Sequence, residues 1–281
     1  MLIITSNSEL NSYLDTLKKD HKLGLVPTMG ALHKGHLSLV KKAVSENDHV
    51  VVSIFVNPTQ FNNKEDLDKY PKTLAADTSL LTKVSKDIVV YAPSVSEIYP
   101  KNITPKQYNF YGLDQVMEGE FRDNHFNGVG TIVEMLLKLV KPHNAYFGEK
   151  DFQQLQIIKK LTAIQKIPVT IIGCPIVREP HGLAMSSRNE RLPKQIREEG
   201  ALLYATLKTA KEKFGTESAT TVKNWVRTVI NDNPNFKVEY VQISDANTLK
   251  PVIRKQKNKK YRIFIAVYTA NVRLIDNIAL N

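Results

Sequence analysis

The chain has 281 residues, of which 42% are hydrophobic and 24% charged, and a formal net charge of +11. That composition suits a globular protein, and the length suits two domains that can each bury a core. Cys174 is the only cysteine, which excludes an intrachain disulfide and agrees with a reducing compartment. No apolar run reaches the roughly 20 residues of a membrane span, and the start lacks a signal-peptide pattern, so a cytoplasmic location without a membrane partner is expected.

In chain order, Ser6–Lys19 reads as an amphipathic helix with Leu10, Tyr13, Leu14 and Leu17 inward. Leu23–Val26 reads as a short buried strand that Pro27 and Gly30 end in a turn. After Gly35, the spacing of Leu37, Leu39, Val40, Ala43 and Val44 is helical. His49–Val56 is almost continuously apolar and β-branched, as expected of a parallel strand covered on both faces. Residues 63–72 read as a charged loop, Thr73–Lys86 as a helix, and Ile88–Ala92 as a strand closed by Pro93. Residues 94–127 read as irregular. A helix over Val129–Val140, a strand and turn over Asn144–Asp151, a helix over Phe152–Gln165 and a strand over Val169–Gly173 follow. Alternation of strands and helices predicts an α/β fold with a doubly wound, parallel, Rossmann-like sheet.

A boundary falls near residues 174–190, where Pro175, Pro180, Gly182 and Pro193 punctuate the chain. Residues 1–174 carry 20 basic and 18 acidic side chains, residues 175–281 carry 19 and 10. Two helices, about Lys194–Phe214 and Ala219–Asn231, precede strands near Val238–Ser244, Arg262–Thr269 and Val272–Ile275. This predicts a smaller C-terminal α+β domain over 175–281 with antiparallel pairing. The basic run Arg254–Arg262 is either a nucleic-acid patch or a solvated hairpin loop. Its place between strands, and Tyr261 as its one aromatic residue, favour the loop and no nucleic-acid partner.

Four clusters carry chemistry. In the first, His33, Lys34, Gly35 and His36 sit where a strand hands over to a helix, at the edge where open α/β sheets bind ligands. A helix start offers free N–H groups to phosphate, and glycines permit close approach. The plainer alternative is helix capping. Zinc is disfavoured, because the segment lacks the Glu of H-E-x-x-H. In the second cluster, the amides of Asn57 and Gln60 can bind a hydroxyl or a carboxylate without bringing charge, or can simply serve a turn. In the third, Gly148-Glu149-Lys150-Asp151, the lysine can neutralise phosphate. Asp151 can cap the next helix or accept from ribose hydroxyls, and Gln154 shares its face. In the fourth, Met185-Ser186-Ser187-Arg188, two hydroxyls and a guanidinium can grip phosphate oxygens, or can form a polar linker.

Together Pro27–His36, Phe55–Phe61, Phe147–Gln154 and Met185–Arg188 resemble the pantothenate synthetase (pantoate–β-alanine ligase) family, part of the nucleotidyl-transferring Rossmann-like proteins with an H-x-G-H motif. The resemblance runs over nearly the whole chain. It implies condensation of pantoate with β-alanine through a pantoyl-adenylate, with release of AMP and pyrophosphate, in coenzyme A synthesis. It implies ATP as a substrate, Mg²⁺, a cytoplasmic homodimer, an ATP- and pantoate-binding domain over 1–174, and a lid-like, dimer-proximal domain over 175–281. By the same match Met29, Gly30, Ala31, Leu32, His33, Lys34, Gly35 and His36 would contact ATP. So would Gly148, Glu149, Lys150 and Asp151, then Val177, and then Met185, Ser186, Ser187 and Arg188. His36 takes the proton-donor role, Gln60 and Gln154 would hold pantoate, and Gln60 would also lie near β-alanine.

The chemistry agrees. Adenylation gives the pantoate carboxylate a leaving group. His33, His36, Lys150 and Arg188, with Ser186 and Ser187, are donors suited to the charge that grows on phosphate oxygens. Neutral Gln60, Gln154 and Asn57 would bind pantoate without blunting its carboxylate as a nucleophile. Arg122 and Tyr70 are candidates for the pocket wall, and Asp77 is a candidate for holding Mg²⁺. No covalent nucleophile is needed, so Cys174 is expected to be a buried core thiol.

Overall fold

The computed structural model describes residues 1–61 and 64–281. It divides into two compact units, Met1–Glu149 with Gln154–Pro175, and Lys150–Gln153 with Ile176–Asn281.

The first unit opens with β1 (Leu2–Ile4), a short edge strand in the Leu-Ile-Ile run that the periodicity alone did not reveal. Helix α1 (Asn7–Asp15) is capped by Ser6, whose side chain accepts from the Glu9 N–H, and Leu10 is its buried residue. Strand β2 (Leu23–Thr28) runs two residues beyond the expected turn. Pro27 lies inside it, paired with Ser53 of β3 (His49–Ile54). That is tolerated because pairing with β5 (Asn144–Gly148) stops at Leu25, before the missing N–H matters. Between β2 and β3 runs α2 (Lys34–Glu46), packed on β2, β3 and β5. Residues 62 and 63, the second of which opens the expected 63–72 loop, lie outside the described residues. The next five form a helix, α3 (Lys64–Asp68), whose charged sequence hid its type.

Helix α4 (Leu74–Thr82) leads to β4 (Val89–Tyr91). The stretch expected to be irregular contains two one-turn helices, α5 (Val95–Ile98) and α6 (Glu118–Phe121). Helix α7 (His125–Val140) begins four residues before its apolar period becomes visible. A 3-10 turn (Glu149–Asp151) and α8 (Phe152–Ile164) precede β6 (Thr170–Cys174). All pairings are parallel, in the order β1-β4-β3-β2-β5-β6. The chain departs to opposite sides from β2 and β5, so the edge beyond their carboxyl ends is the topological switch point. Val26, Val40, Val52, Val90, Tyr146 and Cys174 belong to one buried cluster. Burial pushes the Cys174 thiol up to about 11, so it is an inert core group.

In the second unit the first expected helix is two, α9 (Lys194–Glu199) and α10 (Ala201–Thr216), which meet at Gly200. Helix α11 (Ala219–Asn231) and an antiparallel sheet of β7 (Lys237–Asp245), β8 (Tyr261–Thr269) and β9 (Val272–Ala279) complete it. Its core joins Leu203, Leu207, Val222, Val226, Ile243 and Ile265. The basic run is an exposed loop from Arg254 to Lys260, but Tyr261 and Arg262 are buried. The Arg262 guanidinium lies 4.0 Å from the Phe152 ring centre, a cation–π contact that removes it from any surface patch. Among the described residues no helix is long and apolar enough to cross a membrane.

Candidate active site

Strand β2 delivers the chain into a tight left-handed turn. Gly30 has φ +81° and Ala31 φ +49°. A Cβ at Gly30 would sit 3.1 Å from both Asp77 Oδ2 and Ile54, so glycine is required for shape as well as for φ. Asp77, only 1% exposed, holds the turn from behind. Its Oδ2 accepts from the Ala31 N–H at 3.0 Å and from the Thr73 hydroxyl at 3.1 Å, and its Oδ1 accepts from the Leu32 N–H at 2.7 Å. These contacts give Asp77 a backbone-holding role. Both carboxylate oxygens are committed to the protein, and the described residues contain no cluster of three or more His, Cys, Asp or Glu fit to hold an ion.

The turn ends at His33, the N-cap of α2. His33 Nδ1 accepts from the Gly35 N–H at 3.1 Å, and His36 Nδ1 accepts from the His33 N–H at 3.4 Å. The rings lie 4.1 Å apart between centres, tilted by 37°. The capping alternative is therefore realised, and it serves the phosphate reading. An Nδ1 that accepts from a backbone N–H carries no proton, so each neutral imidazole is protonated on Nε2. Both histidines are thereby set as Nε2–H donors, which suits phosphate oxygens and disfavours a metal at Nε2. Lys34 is exposed beside them, and Met29 and Gly35 are half-buried.

At the end of β3, Asn57 opens the 3-10 turn Pro58–Gln60. Asn57 was expected to touch pantoate, but it is 1% exposed and uses its whole hydrogen-bonding capacity internally. Its Nδ2 donates to Gly128 O at 3.1 Å and to Gln60 Oε1 at 3.2 Å. Its Oδ1 accepts from the Tyr99 hydroxyl at 2.7 Å and from the Thr59 hydroxyl at 3.1 Å. Asn57 is thus a support for Gln60. The Gln60 Nε2 group faces the Met29 thioether, while the Gln60 carbonyl accepts from His125 Nδ1 at 2.9 Å and from Arg122 at 3.4 Å. Arg122 also lies 3.6 Å from Glu118, so it reaches Gln60 through the backbone. Tyr70 is buried with its ring edge-on to Phe61. Gln154 is half-buried on α8. A cavity of about 540 Å³ at this end of the sheet is lined by Met29, Gly30, Thr73, Asp77, Ala92 and Ser94 among others, but not by His33, His36 or Gln60.

Gly148 closes β5 with open space where a Cβ would stand, and Glu149 follows half-buried. Lys150 and Asp151 belong to the second unit. The Lys150 carbonyl accepts from Asn277 at 2.8 Å, its ammonium is 3.9 Å from Asp151, and Asp151 is about half exposed at 49%. In that unit the remaining expected contacts are built as a hairpin. Met185 N–H donates to Val177 O at 3.0 Å, and Arg178 bridges Ala184, with Gly182 at φ +111° in the bend. The Ser186 hydroxyl accepts from the Arg188 N–H at 3.3 Å and caps the 3-10 turn Ser187–Arg191. Glu179 fastens the hairpin, accepting from Asn189 at 2.7 Å and from Arg197 at 2.8 Å. Burial opposes its charge, but these donors outweigh burial and hold its carboxyl below the ordinary value.

The positioning groups Tyr99, Gly128 and Glu179 escaped the sequence reading of the site, and Asp77 entered it only as a metal candidate. Gly128 alone left a trace, as a Gly-x-Gly within an apolar helix, which marks close approach. The profile of the family described as Pantoate-beta-alanine ligase matches residues 2–279. The chain is 54% identical to a pantothenate synthetase of Christiangramia forsetii, covering 100% of both. It superposes with a TM-score of 0.91 on the crystal structure of pantothenate synthetase from Thermus thermophilus, at 38% identity over 100% of this chain and 99% of that one. Against a pantoate-beta-alanine ligase of Francisella tularensis, complexed with beta-gamma ATP and beta-alanine, the TM-score is 0.81 at 38% identity, covering 100% and 98%.

Proposed function

This chain belongs to the pantoate–β-alanine ligase family, and from that premise we propose that it joins pantoate to β-alanine by way of an acyl-adenylate. It is an ATP-dependent ligase. In the first step a pantoate carboxylate oxygen attacks the α-phosphorus of ATP, and the bond to pyrophosphate breaks. In the second the β-alanine amine attacks the acyl carbon, the bond to AMP breaks, and the amine loses a proton. Pantothenate, AMP and pyrophosphate leave, and the product enters coenzyme A synthesis.

The observation that carries this reading is the pair of backbone N–H bonds to Nδ1 of His33 and His36, which leaves each Nε2 as the donor. Two fixed Nε2–H donors at a helix start suit the charge that develops on phosphate oxygens. Gly148, Glu149, Lys150, Asp151, Val177 and Met185–Arg188 complete the proposed ATP contacts, with Lys150 and Arg188 as further charge donors. Gln60 and Gln154 hold pantoate as neutral groups, so its carboxylate stays nucleophilic. The described residues do not build a protein cage for Mg²⁺, and no step is assigned to it. The ion named by the family resemblance is left to the triphosphate, the usual mode for this cation. A homodimer and the cytoplasm belong to the same reading, to which the lone buried thiol of Cys174 is suited.

Pantoate-dependent exchange of labelled pyrophosphate into ATP, run without β-alanine, isolates the first step. His36→Ala and Arg188→Ala are each expected to slow it by roughly 10²–10³-fold, or ~2.7–4 kcal/mol. Both should use synthetic pantoyl-adenylate with β-alanine far better than they exchange. Normal exchange together with failure on the preformed adenylate would overturn the assignment.

A further inference from the structure

We propose that the Gly128 carbonyl, Asn57 and Tyr99 form a polarity relay that turns the Gln60 side chain so that its NH₂ group, not its carbonyl, faces pantoate. The inference rests on the assignment of Gln60 to pantoate and deepens it.

The relay starts from a group whose role cannot be exchanged. The Gly128 carbonyl is an acceptor only, so the Asn57 atom 3.1 Å from it is the nitrogen. The opposite atom of the Asn57 amide is then the oxygen. That agrees with its two neighbours, the Tyr99 hydroxyl at 2.7 Å and the Thr59 hydroxyl at 3.1 Å, which can both donate. The second hydrogen of Asn57 Nδ2 points to Gln60 at 3.2 Å, so the Gln60 atom there is Oε1. What Gln60 turns outward is therefore Nε2, whose contact among the described residues is the Met29 thioether, a weak acceptor. A pantoate oxygen is a better partner and would displace that contact.

Burial makes the relay stiff. Asn57 is 1% exposed, and rotating its amide by half a turn would set an oxygen against the Gly128 carbonyl. The close approach depends on Gly128, since a Cβ there would lie 2.3 Å from Thr59 O. The result is a neutral group that can only donate. It donates to a carboxylate or a hydroxyl oxygen and offers no acceptor to an ammonium group. If the same NH₂ also meets β-alanine, it meets the carboxylate end.

Asn57, Tyr99 and Gly128 are positioning residues, so the test separates KM for pantoate from KM for ATP. Gln60→Ala, Asn57→Ala, Tyr99→Phe and the double variant Asn57→Ala/Gln60→Ala are assayed for pantothenate formation, with thermal melting as the folding control. Gln60→Ala is expected to raise KM for pantoate by about 10- to 100-fold, as for a lost hydrogen bond to a charged group. Asn57→Ala should raise it by about 10-fold and Tyr99→Phe by roughly 2- to 5-fold, with KM for ATP unchanged. In the double variant Asn57→Ala should add nothing to Gln60→Ala, because the relay then has no end to turn. If Gln60→Ala raises KM for pantoate but Tyr99→Phe, which keeps the buried shape, leaves it unchanged, the relay is wrong and the pantoate assignment stands. Additive effects in the double variant would equally overturn the relay. If Gln60→Ala itself leaves pantoate use intact, the assignment falls and the relay with it.

Discussion

The turns that follow β2 and β3 are held by opposite means. Residues 30–33 are fastened by a full charge, the buried Asp77 carboxylate, which accepts two backbone N–H groups and a hydroxyl. Residues 57–60 are fastened by neutral groups, with Asn57 bonded to Tyr99, Thr59, Gly128 and Gln60. A buried carboxylate is tolerable where several N–H and O–H donors converge on it. Behind the His33 turn it can fix a strained backbone and still leave imidazole donors for the nucleotide. Beside Gln60 a fixed charge would repel the pantoate carboxylate or, if positive, weaken it as a nucleophile. In the proposed site, charge then stands where only backbone must be held, and neutral amides where a substrate anion would react.

The comparison is broken most sharply at Asp77. Asp77→Ala leaves the buried N–H groups of Ala31 and Leu32 without acceptors, each worth about 1–3 kcal/mol. Urea unfolding is expected to show a loss of about 2–6 kcal/mol, and KM for ATP should rise more than KM for pantoate. Asp77→Asn keeps one acceptor oxygen and should recover part of both. A larger effect on pantoate would mean that the charged turn does not serve the nucleotide. Gly128→Ala attacks the neutral turn. Its Cβ would stand 2.3 Å from Thr59 O, so residues 57–60 must shift, at about 1–3 kcal/mol of stability. Here KM for pantoate should rise while pyrophosphate exchange at saturating pantoate survives. The smallest effect is expected far from both turns. Replacing Lys257, Lys259 and Lys260 with Gln should leave turnover within about twofold, since exposed charges contribute little. Lys259 is half exposed and pairs with Asp245 at 3.4 Å. A severalfold fall would assign the basic loop a part in catalysis.

Much of the fold was legible because hydrophobic period is a local signal. The run at His49–Val56 announced a buried parallel strand, Val169–Gly173 announced a further strand, and the spacing after Gly35 announced α2. What failed has physical causes. Strand β1 is too short for a period to register. Helix α3 is charged throughout its Lys-Glu-Asp-Leu-Asp sequence. Pro27 looked like a terminator because the end of pairing with β5 cannot be seen along the chain. In the site, the place of His33 and His36 at a helix start was legible from their spacing with Gly35. The structural partners of Asn57 and Asp77 were not legible, because a polar residue at a loop end looks the same whether it faces a ligand or the protein's own backbone.

By itself the sequence determined where the candidate groups stand: two imidazoles at a helix start, amides after a buried strand, and a Ser-Ser-Arg run. It also determined the α/β alternation, since both follow from residues near one another along the chain. Only the tertiary structure decided that each histidine Nδ1 faces a backbone N–H, that Asn57 meets the Gln60 amide, and that Asp77 holds backbone. These depend on partners 45 and 46 residues away for Asp77, and 42 and 71 residues away for Asn57. A hydrogen bond assigns donor and acceptor only when both groups are in place, and it is folding that places them.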